Sequence, residues 1–242
     1  MGKIMQNKES FRAFIENLLG VQIYRASHHG HHDCTDIKRS GCQISTVFDV
    51  GANIGQSALK YRAAFPEAKI YSFEPVKKTY ERLKENVKKY NAISCHNIAL
   101  GGCNGQEKIY LTGQSVTSSF IKSDKVVGEE VVQVCTVDTF VLENQIRRID
   151  LLKIDAEGFD LEVLKGAENM LCFGQIPFVL AEISFHPGDA SHVLFDDIRS
   201  YLAPMGYEVF GIYDQQLEWS GEKRLRFANV CFSKESAFTY HN

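Results

Sequence analysis

Nowhere in the 242 residues does an apolar run approach the roughly 20 residues that cross a bilayer. No charged start followed by an apolar core marks a secretory leader. A membrane span and a signal peptide are therefore not expected. The seven cysteines (Cys34, Cys42, Cys95, Cys103, Cys135, Cys172 and Cys231) contain no C-x-x-C pair. That lack, with the odd count, points to reduced, mostly buried and inert thiols in the cytoplasm. There is no basic excess either. Net charge is −3 and the pI is near 6.2, so nucleic acid is not an expected partner. No internal repeat and no low-complexity linker divides the chain. One α/β domain is expected over 47–242, preceded by a helical or loop extension over 1–46, with ample length for a sizeable core.

What is present centres on residues 47–55, Val-Phe-Asp-Val-Gly-Ala-Asn-Ile-Gly. The apolar run Val47–Val50 reads as a buried strand that Gly51 closes. Ile54, Ala58, Tyr61 and Phe65 then repeat at helical spacing. A glycine at a strand tip lets the backbone turn at positive φ and approach a ligand, and the helix behind it offers free N–H groups. The dinucleotide pattern G-x-G-x-x-G fails, because Asn53 and Gln56 stand where its second and third glycines belong. This disfavours a nicotinamide-dependent oxidoreductase. Asp49, two residues before Gly51, suits a cationic amine or sulfonium better than a pyrophosphate. A second β-prone run, Ile70–Phe73, ends in Glu74-Pro75, where an acid can take both hydroxyls of a ribose. The bland alternative is a βα turn that holds nothing.

These blocks resemble the class I S-adenosylmethionine-dependent methyltransferases. Further segments narrow the likeness: Asn97–Gly101, Thr117–Phe120, Val137–Phe140 and Ile149–Gly158. In that order they resemble the FkbM-type methyltransferase family, from about Val47 to about Ser184 and most strongly over Leu151–Gly166. The resemblance implies a Rossmann-like fold, with a mostly parallel twisted sheet, helices on both faces and a C-terminal antiparallel hairpin. It implies S-adenosyl-L-methionine as cofactor. Asp49, Gly51, Ala52, Asn53 and Gly55 would hold the methionyl part, Glu74 and Pro75 the ribose, and Ala99 the adenine wall. The implied reaction is O-methylation of a hydroxyl on a sugar, glycan or secondary-metabolite acceptor. N-methylation on the same fold and a non-catalytic nucleotide-binding module are the alternatives.

Outside the turn, Phe11, Ile15, Leu18 and Leu19 mark a short amphipathic helix that packs on the domain edge or, alternatively, forms a lid or homodimer contact. Ser27–Cys34 holds four histidines, an aspartate and a thiol without regular ligand spacing. It is expected to be an exposed polar loop rather than a metal site. Helices are expected around Val76–Tyr90, after Val137, after Gly158 and around Leu194–Leu202. Ile93–Ala99 reads as a third strand. Glu107–Leu111 and Val131–Cys135 read as a hairpin or an added sheet, and Tyr207–Tyr213 with Phe227–Phe232 as a closing pair.

Deprotonating a hydroxyl acceptor calls for a general base or a metal. Asp155 and Glu157, at the tip of the strand Ile149–Ile154, and His186, past the next strand, are the catalytic candidates. Ser118, Ser119 and Glu182 are candidates for the acceptor. A divalent metal on the carboxylates remains open, as does a purely structural role in which Asp155 caps the following helix. Lys153, embedded in an apolar strand, is expected to pair with a carboxylate.

Overall fold

The computed structural model describes residues 29–112, 118–119, 126–189, 191–217 and 224–237. The amphipathic segment at 8–19, His28, residues 115–117, Phe120 and the loop holding Trp219 and Lys223 lie outside the described residues. Among the described residues no helix is long and apolar enough to cross a membrane.

The first half alternates strands and helices: α1 (Asp33–Arg39), β1 (Thr46–Val50), α2 (Gln56–Ala64), β2 (Lys69–Phe73), α3 (Lys77–Val87) and β3 (Ile93–His96). The second half continues with α4 (Val137–Glu143), β8 (Leu151–Ile154), α5 (Asp160–Lys165), α6 (Glu168–Cys172), β9 (Phe178–Ser184) and α7 (Phe195–Leu202). It closes with β11 (Tyr207–Leu217) and β12 (Leu225–Lys234). The main sheet has the order β11-β12-β9-β8-β1-β2-β3, with the two-residue β10 (Val193–Leu194) beside β9. The strands from β9 across to β3 are parallel, and β12 and β11 close the sheet antiparallel. This is the Rossmann-like arrangement that the resemblance implied.

Period-2 alternation along the strands builds a core on each face. Val47, Ile70, Leu151 and Leu180 pack with Ile37 of α1, Tyr61 of α2 and Leu83 of α3. Phe48, Phe73, Leu152 and Val179 pack with Phe140 of α4, Leu164 of α5 and Ile198 of α7. Burial on both faces explains the continuous apolar runs in β8 and β9. From β1 the chain steps outward to β2 and β3, then returns to β8 on the other flank of β1. The strand order therefore reverses at β1, and a crevice opens there at the carboxyl ends of the strands.

The third strand is shorter than its sequence pattern suggests. β3 ends at His96, and β4 (Ala99–Leu100) belongs to a separate sheet with β5 (Gly105–Thr112), β6 (Ser118–Ser119) and β7 (Val126–Cys135), in the order β4-β7-β5-β6. Asn97 makes the break, because its side-chain amide donates to Glu74 O (2.9 Å) and Pro75 O (2.8 Å) at the tip of β2. β5 and β7 form the expected antiparallel pair, and β6 pairs with β5 at Tyr110 and Leu111.

Three further points differ from the sequence reading. The alternative in which Asp155 caps the next helix does not hold: Glu157 (φ 49°) and Gly158 (φ 91°) adopt left-handed conformations, and α5 starts only at Asp160. The helix expected after Gly158 stops at Lys165, and α6 begins at Glu168. Packing is close at Gly166 between them, where a Cβ would overlap the Gly101 carbonyl. The histidine-rich segment is not wholly an exposed loop. Asp33 and Cys34 open α1 and are buried, with Asp33 accepting from Lys60 Nζ at 2.8 Å.

Candidate active site

A cleft lies at the carboxyl ends of β1, β2 and β8, under the edge of the second sheet. Gly51 and Asn53 of the turn after β1 line it, with Glu74 and Pro75 of the β2 tip and Asp155 and Glu157 beyond β8. Ala99 and Ile109 contribute from the second sheet. The local sequence explains the turn. Gly51 has φ +72°, and a Cβ there would overlap the Asp155 carbonyl, so β1 and β8 approach as only glycine permits. The N–H groups of Gly51 and Ala52 both donate to Phe73 O, at 3.1 and 2.9 Å, which ties the turn to β2. Ala52 itself is buried in the core and Gly55 (φ +98°) packs toward Leu83 and Val87. Those two shape the turn without lining the cleft.

Glu74 is 7% exposed, and its carboxylate is held at both ends. Asn53 N–H donates to Oε2 and Val76 N–H to Oε1, each at 3.0 Å. Asn97, which pins the carbonyls of residues 74 and 75, fixes the backbone below it. Burial pushes the Glu74 carboxyl up to about 7 despite those two N–H donors.

Asp49 is fully buried and does not line the cleft. Its register partner on β8 is Lys153, whose Nζ stands 3.5 Å from Asp49 Oδ1 and 3.2 Å from Asp155 Oδ2. The expected carboxylate pairing of Lys153 is thus with two acids at once. Burial raises the Asp49 carboxyl, and the ammonium offsets only part of that rise. Burial works against the Lys153 charge, but Asp155 and Asp49 hold the lysine protonated.

Glu157 and Asp160 are both pushed up to about 7, chiefly by burial and secondly by the charge of Asp155. The charge of Glu182 on β9 also raises Glu157, although Glu182 itself does not line the cleft. Glu182 accepts from His192 Nε2 at 3.0 Å, and His192 Nδ1 meets Asp189 Oδ2 at 3.0 Å. Arg226 Nε donates to the same Asp189 oxygen at 3.1 Å. His186 lies just past β9, where its Nδ1 accepts from Gly188 N–H at 3.0 Å and its backbone is bound to Ser184 Oγ. Ser118 and Ser119 are described only as strand β6.

Sequence reasoning missed His192, Asp160 and Arg226. The Asp-x-x-His spacing of Asp189 and His192 was a visible signal, whereas Arg226 reaches the group only through the pairing of β12 with β9. Among the described residues, no three histidine, cysteine or acidic side chains come together as a metal site.

The family model for the methyltransferase FkbM domain matches residues 49–209. The chain belongs to that family. A hexuronic acid methyltransferase of Haloferax volcanii is 27% identical over 151 residues, covering 61% of this chain and 60% of the relative. The chain therefore spans less than two thirds of that relative's length. A methyltransferase of Beauveria bassiana is 24% identical, covering 68% of this chain and 73% of the relative. Among solved structures, an rRNA methylase of Streptococcus thermophilus superposes with a TM-score of 0.48 at 10% identity, covering 88% of this chain and 99% of its own.

Proposed function

From membership in this family, we propose that the chain is an S-adenosylmethionine-dependent methyltransferase that methylates a hydroxyl of a sugar or a related hydroxylated acceptor. The observation that carries the proposal is Glu74, a buried carboxylate fixed by two backbone N–H groups on the wall of a cleft at the switch point. Its remaining lone pairs suit a ribose diol. The glycine at 51 fits the same group, since the space that its missing Cβ leaves lets the turn close against β8. The cofactor, when bound, supplies an electrophilic methyl on a sulfonium, and the protein supplies binding, orientation and proton handling.

In this assignment Asn53, Gly51 and Pro75 shape the cofactor's seat, Ala99 flanks the adenine, and the buried Lys153–Asp49 pair holds Asp155 at the methyl end. Glu157 is the general base. Its carboxyl, raised to about 7, is near the value at which a base is both available and effective at neutral pH. A hexuronic acid methyltransferase among the relatives supports a sugar-like acceptor.

The test is calorimetric titration with S-adenosylmethionine, S-adenosylhomocysteine and NAD in parallel, followed by transfer of labelled methyl to hydroxylated acceptors. Micromolar binding of both adenosyl ligands without NAD is the expected result. A folded protein that binds neither adenosyl ligand overturns the proposal.

A further inference from the structure

Beyond the cleft, four charged side chains alternate in sign along the carboxyl edge of β9 and the start of β12. Glu182 meets His192 Nε2 at 3.0 Å, His192 Nδ1 meets Asp189 at 3.0 Å, and Asp189 takes Arg226 Nε at 3.1 Å. The His192 ring stacks on Phe227 with centroids 4.5 Å apart and planes at 19°, and the Arg226 guanidinium lies 5.7 Å from the same ring. His192 is 10% exposed and Asp189 1%, so the middle of the chain is buried while the Glu182 side chain, 22% exposed, reaches the surface. None of this is needed to hold the sheet, whose β9–β12 ladder is complete through backbone hydrogen bonds from Phe178 to Ser184.

The order of the strand tips gives the group a direction. Glu74 stands at the tip of β2, the glycine turn at β1, Asp155 and Glu157 after β8, and Glu182 on β9. With the ribose at Glu74, the methyl end points away from β2, toward β8 and β9. Glu182 is then on the acceptor side of Glu157, to which it is electrostatically coupled.

We propose that His192 is a positioning residue of the acceptor subsite: as an imidazolium donating from both nitrogens, it holds Glu182 as the carboxylate that receives the non-reacting hydroxyls of a sugar-like acceptor. The inference rests on the methyltransferase assignment above and deepens it. With both nitrogens committed to carboxylates, His192 cannot take a proton from the acceptor, so base catalysis stays with Glu157. A carboxylate fixed by a charged donor is a strong acceptor for the paired hydroxyls of a pyranose ring. The charged groups facing His192 are Glu182 of β9, Asp189 of its own loop with Arg226 of β12 behind it, and, by electrostatic coupling, Glu157. Burial pulls the His192 proton off, but the bonds to Glu182 and Asp189 outweigh it and raise the imidazole to about 9.

The experiment uses the full chain saturated with S-adenosylhomocysteine, titrated with methyl α-glucopyranoside and with glucuronate. It compares wild type with His192→Gln and Glu182→Gln, while ¹⁵N-histidine spectra follow His192. Expected are binding of at least one sugar to wild type, a loss of tenfold or more in both variants, and weakening in wild type as pH rises past about 9. That high-pH limb is absent in His192→Gln, and Glu182→Gln lowers the pH at which the His192 signal titrates. A purely structural histidine would leave no such limb. Sugar affinity unchanged in both folded variants, no binding of either sugar to wild type, or a neutral His192 ring at pH 7 overturns the inference. Failure of S-adenosylhomocysteine itself to bind overturns the methyltransferase assignment, and this inference with it.

Discussion

Lys153 and Asp49 face each other across the β1–β8 ladder, Nζ 3.5 Å from Oδ1, with 7% and 0% of their side chains exposed. An ammonium and a carboxylate buried in neighbouring strands stabilise one another only as a pair, since either alone would carry an uncompensated charge. Lys153→Met should destabilise the protein by about 3–5 kcal/mol in denaturant unfolding. The double variant Asp49→Asn/Lys153→Met should recover most of that loss. A double variant no more stable than the single one would show that the pair does not matter as a pair.

Gly51→Ala sets a left-handed φ of +72° against a side chain that would overlap the Asp155 carbonyl. Backbone strain alone costs about 1–3 kcal/mol. With the overlap the loss should reach about 3 kcal/mol, a fall in Tm of about 6–12 °C for a domain of this size. Gly128→Ala is the control, because its nearest neighbour would be Leu111 Cδ1 at 3.7 Å. Thermal melts that do not separate the two variants would contradict the close approach of β1 and β8.

With Glu74 at the ribose, as proposed, cofactor affinity becomes linked to pH. Its carboxyl is raised to about 7, so the protein must lose a proton there before the carboxylate can accept a diol. Affinity for S-adenosylhomocysteine should therefore rise by up to about tenfold per pH unit between pH 5 and 7 and level off above. Glu74→Gln should flatten the profile. In the absence of ligand the sign is reversed for stability. Glu74, Glu157 and Asp160 have folded values near 7, above their ordinary 4.5 and 3.8. Their contribution is full below about 4 and is lost as pH rises through 7, so these groups should lower Tm from pH 5 to 8.

Glu157→Gln should reduce kcat about 10²–10⁴-fold while the dissociation constant for S-adenosylhomocysteine stays within about twofold of wild type. The wild-type rate should climb with pH to a plateau above about 7 as the carboxylate forms. Asp155→Asn, by contrast, removes a partner of Lys153 and should weaken cofactor binding as well as turnover. A full rate in Glu157→Gln would return the base to Asp155 or His186.

The parts of this site that were legible in the sequence are local ones. Gly51, Glu74 and Asp155 each end a short β-prone run, and a strand tip followed by a turn is written in consecutive residues. Lys153 was legible too, because a lone cation in an apolar strand needs a partner. The choice between a site role and a helix cap for Asp155 was not legible, since nothing in its own segment announces that Glu157 and Gly158 would both turn left-handed. Ile93–Ala99 looked continuous because β-propensity runs through it, whereas the Asn97 side chain, bonded to the tip of β2, divides it between two sheets.

By itself, the sequence determined the alternation of strands and helices, the glycine turn at the head of the sheet and the family, because periodicity, turn chemistry and motif order depend on neighbours in the chain. Only the tertiary structure decided that Asp49 lies beneath the cleft while Glu74 lines it, and that Glu182, Asp189, His192 and Arg226 form one charged chain beside Glu157. Those relations depend on which strand lies beside which and on what each pairing buries. The charge states of the acids near 7 follow from that burial, which no stretch of sequence specifies alone.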